Sequence, residues 1–148
     1  MWYRNRWMVA VLIIAAALSL ASCAAQATES VTGSPPARVE RIAGTDFSRV
    51  ILTAQAAKRL DIQTAPIQDA QVQGKPRKVV PYAAVFYDLN GKTWVYTNPD
   101  PLTFVRANIT VDAIDGERAV LSEGPSSGTE VVTVGAPELY GTEFGVGQ

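Results

Sequence analysis

The 148-residue chain contains no histidine and a single cysteine. Without histidine it lacks the commonest general base and the commonest metal ligand. No Ser-His-Asp triad, Cys-His pair or histidine-bearing zinc site can be assembled from it. One cysteine excludes an internal disulfide and a Cys-X-X-Cys site. Excess charge is missing too: 13 Lys and Arg stand against 14 Asp and Glu, a formal net charge of −1. That balance lacks the electrostatic footprint of a nucleic-acid binder. There is no internal repeat and no heptad run. These absences argue against most hydrolytic, redox and metal enzymes, and no enzymatic activity is expected.

The 47% apolar content is unevenly spread, with much of it ahead of residue 26. Arg4 and Arg6 precede the apolar run WMVAVLIIAAAL at 7–18, and Leu20-Ala21-Ser22-Cys23 follows. A basic start, an apolar stretch and small residues at the boundary describe a secretory signal. The last four residues resemble the lipobox of bacterial lipoproteins. That resemblance implies cleavage between Ser22 and Cys23 and a diacylglycerol on the Cys23 thiol. Acyl chains, at about 0.8 kcal/mol per buried CH₂, then hold the protein on a membrane. They are the only attached group expected, and no metal or cofactor is. Two other readings stay open: an uncleaved transmembrane helix, and ordinary secretion with an incidental cysteine. All three place the body outside the cytoplasm, in the periplasm or on the outer face of the cell membrane.

The expected organisation is a signal peptide over 1–22, a flexible tether over 23–46, a β domain over 47–141 and a mobile end over 142–148. The tether is poor in large apolar residues and carries Gly33, Pro35 and Pro36, a composition that cannot offset its ordering entropy. A strand hidden in RVERIA would shorten it. Past Phe47, Thr53 is placed to N-cap a short helix over AQAAKRL. Alternating apolar and polar residues predict a strand in DIQTAPI. Asn90-Gly91 between apolar runs predicts a hairpin, its returning strand showing Trp94 and Tyr96 to one face and Val95 to the other. The alternation over 102–111 changes phase, which predicts a bulge near Ala107-Asn108. A second turn falls at Asp115-Gly116, and Pro137-Glu138-Leu139-Tyr140 reads as a terminal helical turn. The fold class is mainly β: a small antiparallel β-roll or barrel-like domain with one short helix.

Three stretches resemble the periplasmic adaptor subunits of RND-type efflux pumps, also called membrane fusion proteins. They are LTAQAAKRLDIQTAPI at 52–67, VPYAAVFYDLNGKTWVY at 80–96 and FVRANITVDAIDGERAVLSEGPSSGTEVVTVGAPELYG at 104–141. The resemblance implies the membrane-proximal domain of that family, a docking unit, with an RND-type permease or other adaptor subunits as partners. It does not extend to the channel-bridging helical hairpin, because only 68–79 separates the first two stretches. Asp61 stands where the family usually has Gly, and Pro125-Ser126 where it usually has Leu-Lys. These departures bear on a turn and a loop. The function expected is therefore a non-enzymatic docking or assembly module for a membrane transporter, and the alternative is a small ligand-binding or sensing lipoprotein.

Candidate contact residues are Trp94, Tyr96, Phe104 and Arg106. Inward packing of the aromatics, as cross-strand pairs, stands against an exposed rim for a partner. Arg106 is read either as a docking contact or as a structurally paired side chain. Asp112, Asp115 and Glu117 gather near a turn without calcium-loop spacing, which favours a solvated hairpin tip.

Overall fold

The computed structural model describes residues 35–145. The expected signal peptide, Cys23 and the first half of the expected tether lie outside the described residues. Eleven strands form two antiparallel sheets. In the first sheet the order is β1 (Ala37–Arg41), β2 (Ser48–Leu52), β8 (Thr103–Asn108), β7 (Thr93–Asp100), β11 (Glu130–Val134) and β3 (Gln63–Pro66), with β6 (Phe86–Tyr87) also on β7. The second sheet runs β4 (Gln68–Val72), β5 (Lys75–Pro81), β10 (Arg118–Glu123), β9 (Thr110–Asp115). Two helices, α1 (Ala54–Arg59) and α2 (Ala136–Glu143), and a 3-10 turn (Tyr82–Ala84) complete the described residues. Among the described residues no helix is long and apolar enough to cross a membrane.

The first sheet is buried on both faces, and its strands show why. In β7, Tyr96 belongs to one apolar core and Val95 to the other; in β11, Val132 and Val131 divide the same way. Val50, Leu52, Phe104 and Leu139 join Tyr96 and Val132 under the helices. Val80, Ala119 and Leu121 of the second sheet close over Val95 and Val131. Each fully buried aliphatic side chain contributes about 1.5–3 kcal/mol relative to exposure. The architecture is three-layered: helices, first sheet, second sheet.

The mainly β class is observed, but the sheets do not close into a barrel. Among the described residues β1, β3, β4 and β9 remain free edges. The chain instead crosses between the sheets four times: at Ile67, through 82–85, at Ile109 and through 124–129. Ile109 explains the phase change over 102–111. No bulge is needed there, because β8 ends in one sheet and β9 starts in the other, with Ile109 buried between them. Its amide donates to the Thr93 carbonyl at 3.1 Å, and Thr93 Oγ1 donates back to its carbonyl at 2.7 Å. Register shifts lie elsewhere: between Thr97 and Asp100 in the β7–β8 pair, between Val132 and Val134 in β11–β3, and in the β9–β10 pair.

Three other expectations change. Residues 37–41 of the expected tether are β1, in register with β2 from Ala37↔Leu52 to Arg41↔Ser48; this is the strand hidden in RVERIA, held partly by Ala37 packing on the helix-side core. The polar stretch from Gln68 is a strand, because its hairpin closes on Gln73 and Gly74, both at positive φ, the backbone a two-residue primed turn needs. The Asn-Gly hairpin pairs Phe86↔Trp94 and Tyr87↔Thr93, yet its loop is longer than two residues. Gly91 N–H bonds the Asp88 carbonyl and Asp88 N–H bonds the Lys92 carbonyl, so Gly91 takes the left-handed place at φ +76 that ends a three-residue loop.

Helix α1 begins at Thr53, whose Oγ1 accepts from Ala56 N–H at 3.2 Å. It ends with Ile62 N–H on the Ala57 carbonyl and Asp61 N–H on the Lys58 carbonyl, the paired bonds of a Schellman motif. At six residues α1 is too short to persist alone, and Ala56, Ala57 and Leu60 hold it to the core.

Candidate functional site

Trp94 and Tyr96 alternate along β7, and Phe104 and Arg106 along β8, so all four share the helix-side face. Tyr96 and Arg106 are direct cross-strand partners. The structure brings the four together but inside the protein: Trp94 is 8% exposed, Tyr96 0% and Phe104 2%, and the Arg106 side chain 11%. They do not form an accessible rim. The exposed apolar side chains of this region are Tyr82, Tyr87, Phe144 and the hairpin-tip Leu89, which is 97% exposed.

The group that completes the cluster comes from the far end of the chain. Helix α2 delivers Glu143, whose side chain is 4% exposed, with Oε2 3.4 Å from Arg106 Nε. Tyr96 donates its phenol proton to the same oxygen at 2.5 Å. Arg106 Nε itself has no hydrogen-bond partner among the described residues. Instead the guanidinium is stacked among rings, its carbon 4.3 Å from the Trp94 centroid, 5.1 Å from Phe144 and 5.8 Å from Phe47. A desolvated cation–π contact contributes about 2 kcal/mol, and its planar cation suits such stacking better than an ammonium does. Phe86 stacks on Tyr96 at 5.2 Å and meets Tyr140 edge-on at 5.6 Å.

Burial pushes the Tyr96 phenol well above its ordinary range, the hydrogen bond to Glu143 and that carboxylate's charge push it further, and Arg106 opposes them. The phenol is therefore a proton donor and not a nucleophile. Trp94 is oriented from the other side by Asp88, which accepts its indole N–H at 3.1 Å and the amides of Asn90 and Lys92 at 2.8 and 3.0 Å. Desolvation alone would raise the Asp88 carboxyl, but the bonds from Lys92, Trp94 and Asn90 and the Lys92 charge hold it below its usual value. The arrangement binds α2 to the sheet; it presents no activated nucleophile to a substrate.

Sequence reasoning missed Glu143 because 142–148 reads as a glycine-marked mobile end. The available signal is Pro137 at a helix start with Leu139–Glu143 and Tyr140–Phe144 four residues apart, one helical face. Among the acidic residues near the second turn, Asp112 pairs with Arg77, and Asp115 with Arg118 at 2.8 Å. Elsewhere, Lys78 Nζ donates to the Gly124 and Pro125 carbonyls at 2.7 and 3.0 Å, and Ser127 Oγ to Asp69 at 2.6 Å. These bonds pin the loop at the Pro125-Ser126 departure. An apolar cavity of about 230 Å³ is lined by Pro36, Ala37, Leu52, Ala56, Leu60 and others, smaller than the roughly 300 Å³ at which ligand pockets begin.

No protein-family model matches the chain, and no curated protein sequence does. Among solved structures the chain is similar to the NMR structure of a 180-residue piece of SilB from Cupriavidus metallidurans CH34, encompassing that protein's N-terminal metal-binding site and membrane-proximal domain. The identity is 19% and the TM-score 0.42, over 70% of this chain and 64% of that one.

Proposed function

We propose that the chain is a non-enzymatic docking or assembly module of a membrane transport system, related to periplasmic adaptors and held on the extracytoplasmic side by acyl chains on Cys23. One observation carries the reading. The three adaptor-like stretches, 52–67, 80–96 and 104–141, do not fall on scattered fragments. They supply α1, β3, β6, the first half of β7, most of β8, β9, β10, β11 and most of α2, which pack into the two shared cores. The unmatched 68–79 holds the β4–β5 hairpin, paired in unbroken register from Gln68↔Val79 to Val72↔Lys75. A hairpin leaves and re-enters a sheet at neighbouring points, so a longer relative can branch there while this unit stays intact.

With Trp94, Tyr96, Phe104 and Arg106 interior, the contact surface of this reading passes to Tyr82, Tyr87 and Leu89. Affinity capture from native membranes is the test. It is expected to recover a transporter subunit, with recovery reduced by Tyr87→Ser combined with Leu89→Ser. Cys23→Ala is expected to release the protein from membranes and to end incorporation of labelled fatty acid. Unacylated protein in the cytosol, or capture without any transport component, overturns the reading.

A further inference from the structure

The free sheet edges differ in how well they guard against another strand. β3 is four residues long, ends in Pro66 and is irregular against β11. β9 is bulged opposite Val120–Leu121, and its extra residue, Asp112, is drawn to Arg77. β6 has two residues. An exposed edge is ordinarily blunted by such devices. β1 is regular, five residues in unbroken register with β2 with no proline and no bulge, and only the charges of Arg38, Glu40 and Arg41 guard it.

The bonds at its ends show which backbone groups face outward. Thr53 N–H bonds the Pro36 carbonyl and Ile42 N–H the Phe47 carbonyl, each at 3.0 Å. Alternation along an antiparallel pair then turns Arg38 and Glu40 toward β2. The N–H and C=O groups of Ala37, Val39 and Arg41 point away from it.

We propose that β1 is the pairing edge of a symmetric dimer, its occupant the β1 of a second copy, running antiparallel about a twofold axis at Val39. The sequence Ala-Arg-Val-Glu-Arg is complementary to itself in this register. Ala37 meets the second copy's Arg41, and Val39 meets its own equivalent. These are the residues with outward backbone groups, so every pair about the axis can exchange both hydrogen bonds. Arg38 falls opposite the second copy's Glu40, and Glu40 opposite its Arg38, at the closer-spaced, non-hydrogen-bonded positions. Within one chain Arg38 Nε already lies 2.9 Å from Glu40 Oε1, with both side chains exposed, so pairing joins two half-networks into a four-charge ladder. Val39, 41% exposed, is covered by its equivalent on the axis. β4, also regular, has no such match: about Ala70 it sets Asp69 against Gln71. The two-residue self-contact of Val39 and a single strand pair make a small interface, of the weak, reversible class.

Sedimentation of the full chain under reducing conditions tests this. The weight-average mass is expected to rise with concentration to that of a dimer. Val39→Pro removes an N–H that points away from β2 and donates to nothing among the described residues of one copy, a position where edge strands tolerate proline. It is expected to stay monomeric with an unchanged circular dichroism spectrum and unfolding midpoint. Arg38→Glu is expected to weaken dimerisation at least about fivefold through two like-charge contacts, and Arg38→Glu with Glu40→Arg to restore it. Should the proline variant unfold, the charge exchanges decide alone, since both side chains are solvent-facing. A wild-type chain monomeric through the millimolar range overturns the proposal, as does a dimer indifferent to the charge reversal.

Discussion

Asp61 occupies the residue after the end of α1 with φ +51, the left-handed place where helices most often carry glycine. Aspartate tolerates that conformation better than most residues, and its carboxylate accepts from Gln63 Nε2 at 2.8 Å. The departure from the adaptor pattern at this position therefore strains a turn without breaking it. Asp61→Gly is expected to raise stability by about 0.5–1 kcal/mol, read as a higher urea midpoint at constant slope. Glu143→Ala has the opposite sign. It leaves Arg106 among rings without its carboxylate and Tyr96 without an acceptor, and a loss of about 3 kcal/mol is expected, measured by the same denaturation. Tyr96 also sets an alkaline limit. Its phenol is held above the ordinary value of 10.0 in the folded protein, so the stabilisation is complete below that value. It declines as pH rises past it, where the unfolded chain releases a proton that the native state keeps. Stability of the wild type is expected to fall more steeply with alkaline pH than that of Tyr96→Phe. Tyrosinate absorbance is expected to show one residue ionising only with unfolding.

At the scale of elements, α2 depends on both of its ends. Its start is Gly135, at φ +96, where an added Cβ would lie 2.2 Å from Ile62 Cδ1. Ile62 can turn aside, but an L-residue in that backbone still costs about 1–2 kcal/mol. Gly135→Ala is expected to lose at least that much, with faster amide exchange in α2 than in β7. The helix illustrates how legible the elements were. Thr53, Asn90-Gly91 and the alternation of Trp94, Val95 and Tyr96 are local signals, and each marks an element that is present. Glu143 carries no local signal of its role, because its partners are 47 and 37 positions earlier. The same holds for Arg106: a cation among apolar neighbours reads as a docking contact or as a solvent-facing or structurally paired side chain until the other strands arrive. β4 was missed because QDAQV offers only Ala70 and Val72 as an apolar alternation, too short a run to read, and its turn rests on Gln73, which is a rare residue at positive φ.

In the whole molecule, one sheet serves two cores, and the second sheet is made of two hairpins, β4–β5 and β9–β10, reached by the chain at separate crossings. The β4–β5 tip pairs only with itself, and a cavity-free turn at Gly74 leaves room around it. A short Gly/Ser segment placed between Gln73 and Gly74 is expected to change stability by no more than about 1 kcal/mol, since loop-closure cost grows only logarithmically with length. Thermal unfolding of the insertion variant beside wild type checks this.

Composition and short-range pattern were enough for the mainly β class, for the absence of histidine chemistry, for the α1 cap and for the hairpin at Asn90-Gly91. Each depends on residues a few positions apart, whose preferences act before distant segments meet. Which strands share a sheet, where the chain crosses from one layer to the other, and that Trp94, Tyr96, Phe104 and Arg106 face inward around Glu143 were set by packing. Alternation names the two faces of a strand but not what covers them, and here both faces of the first sheet were covered, one by helices and one by a second sheet.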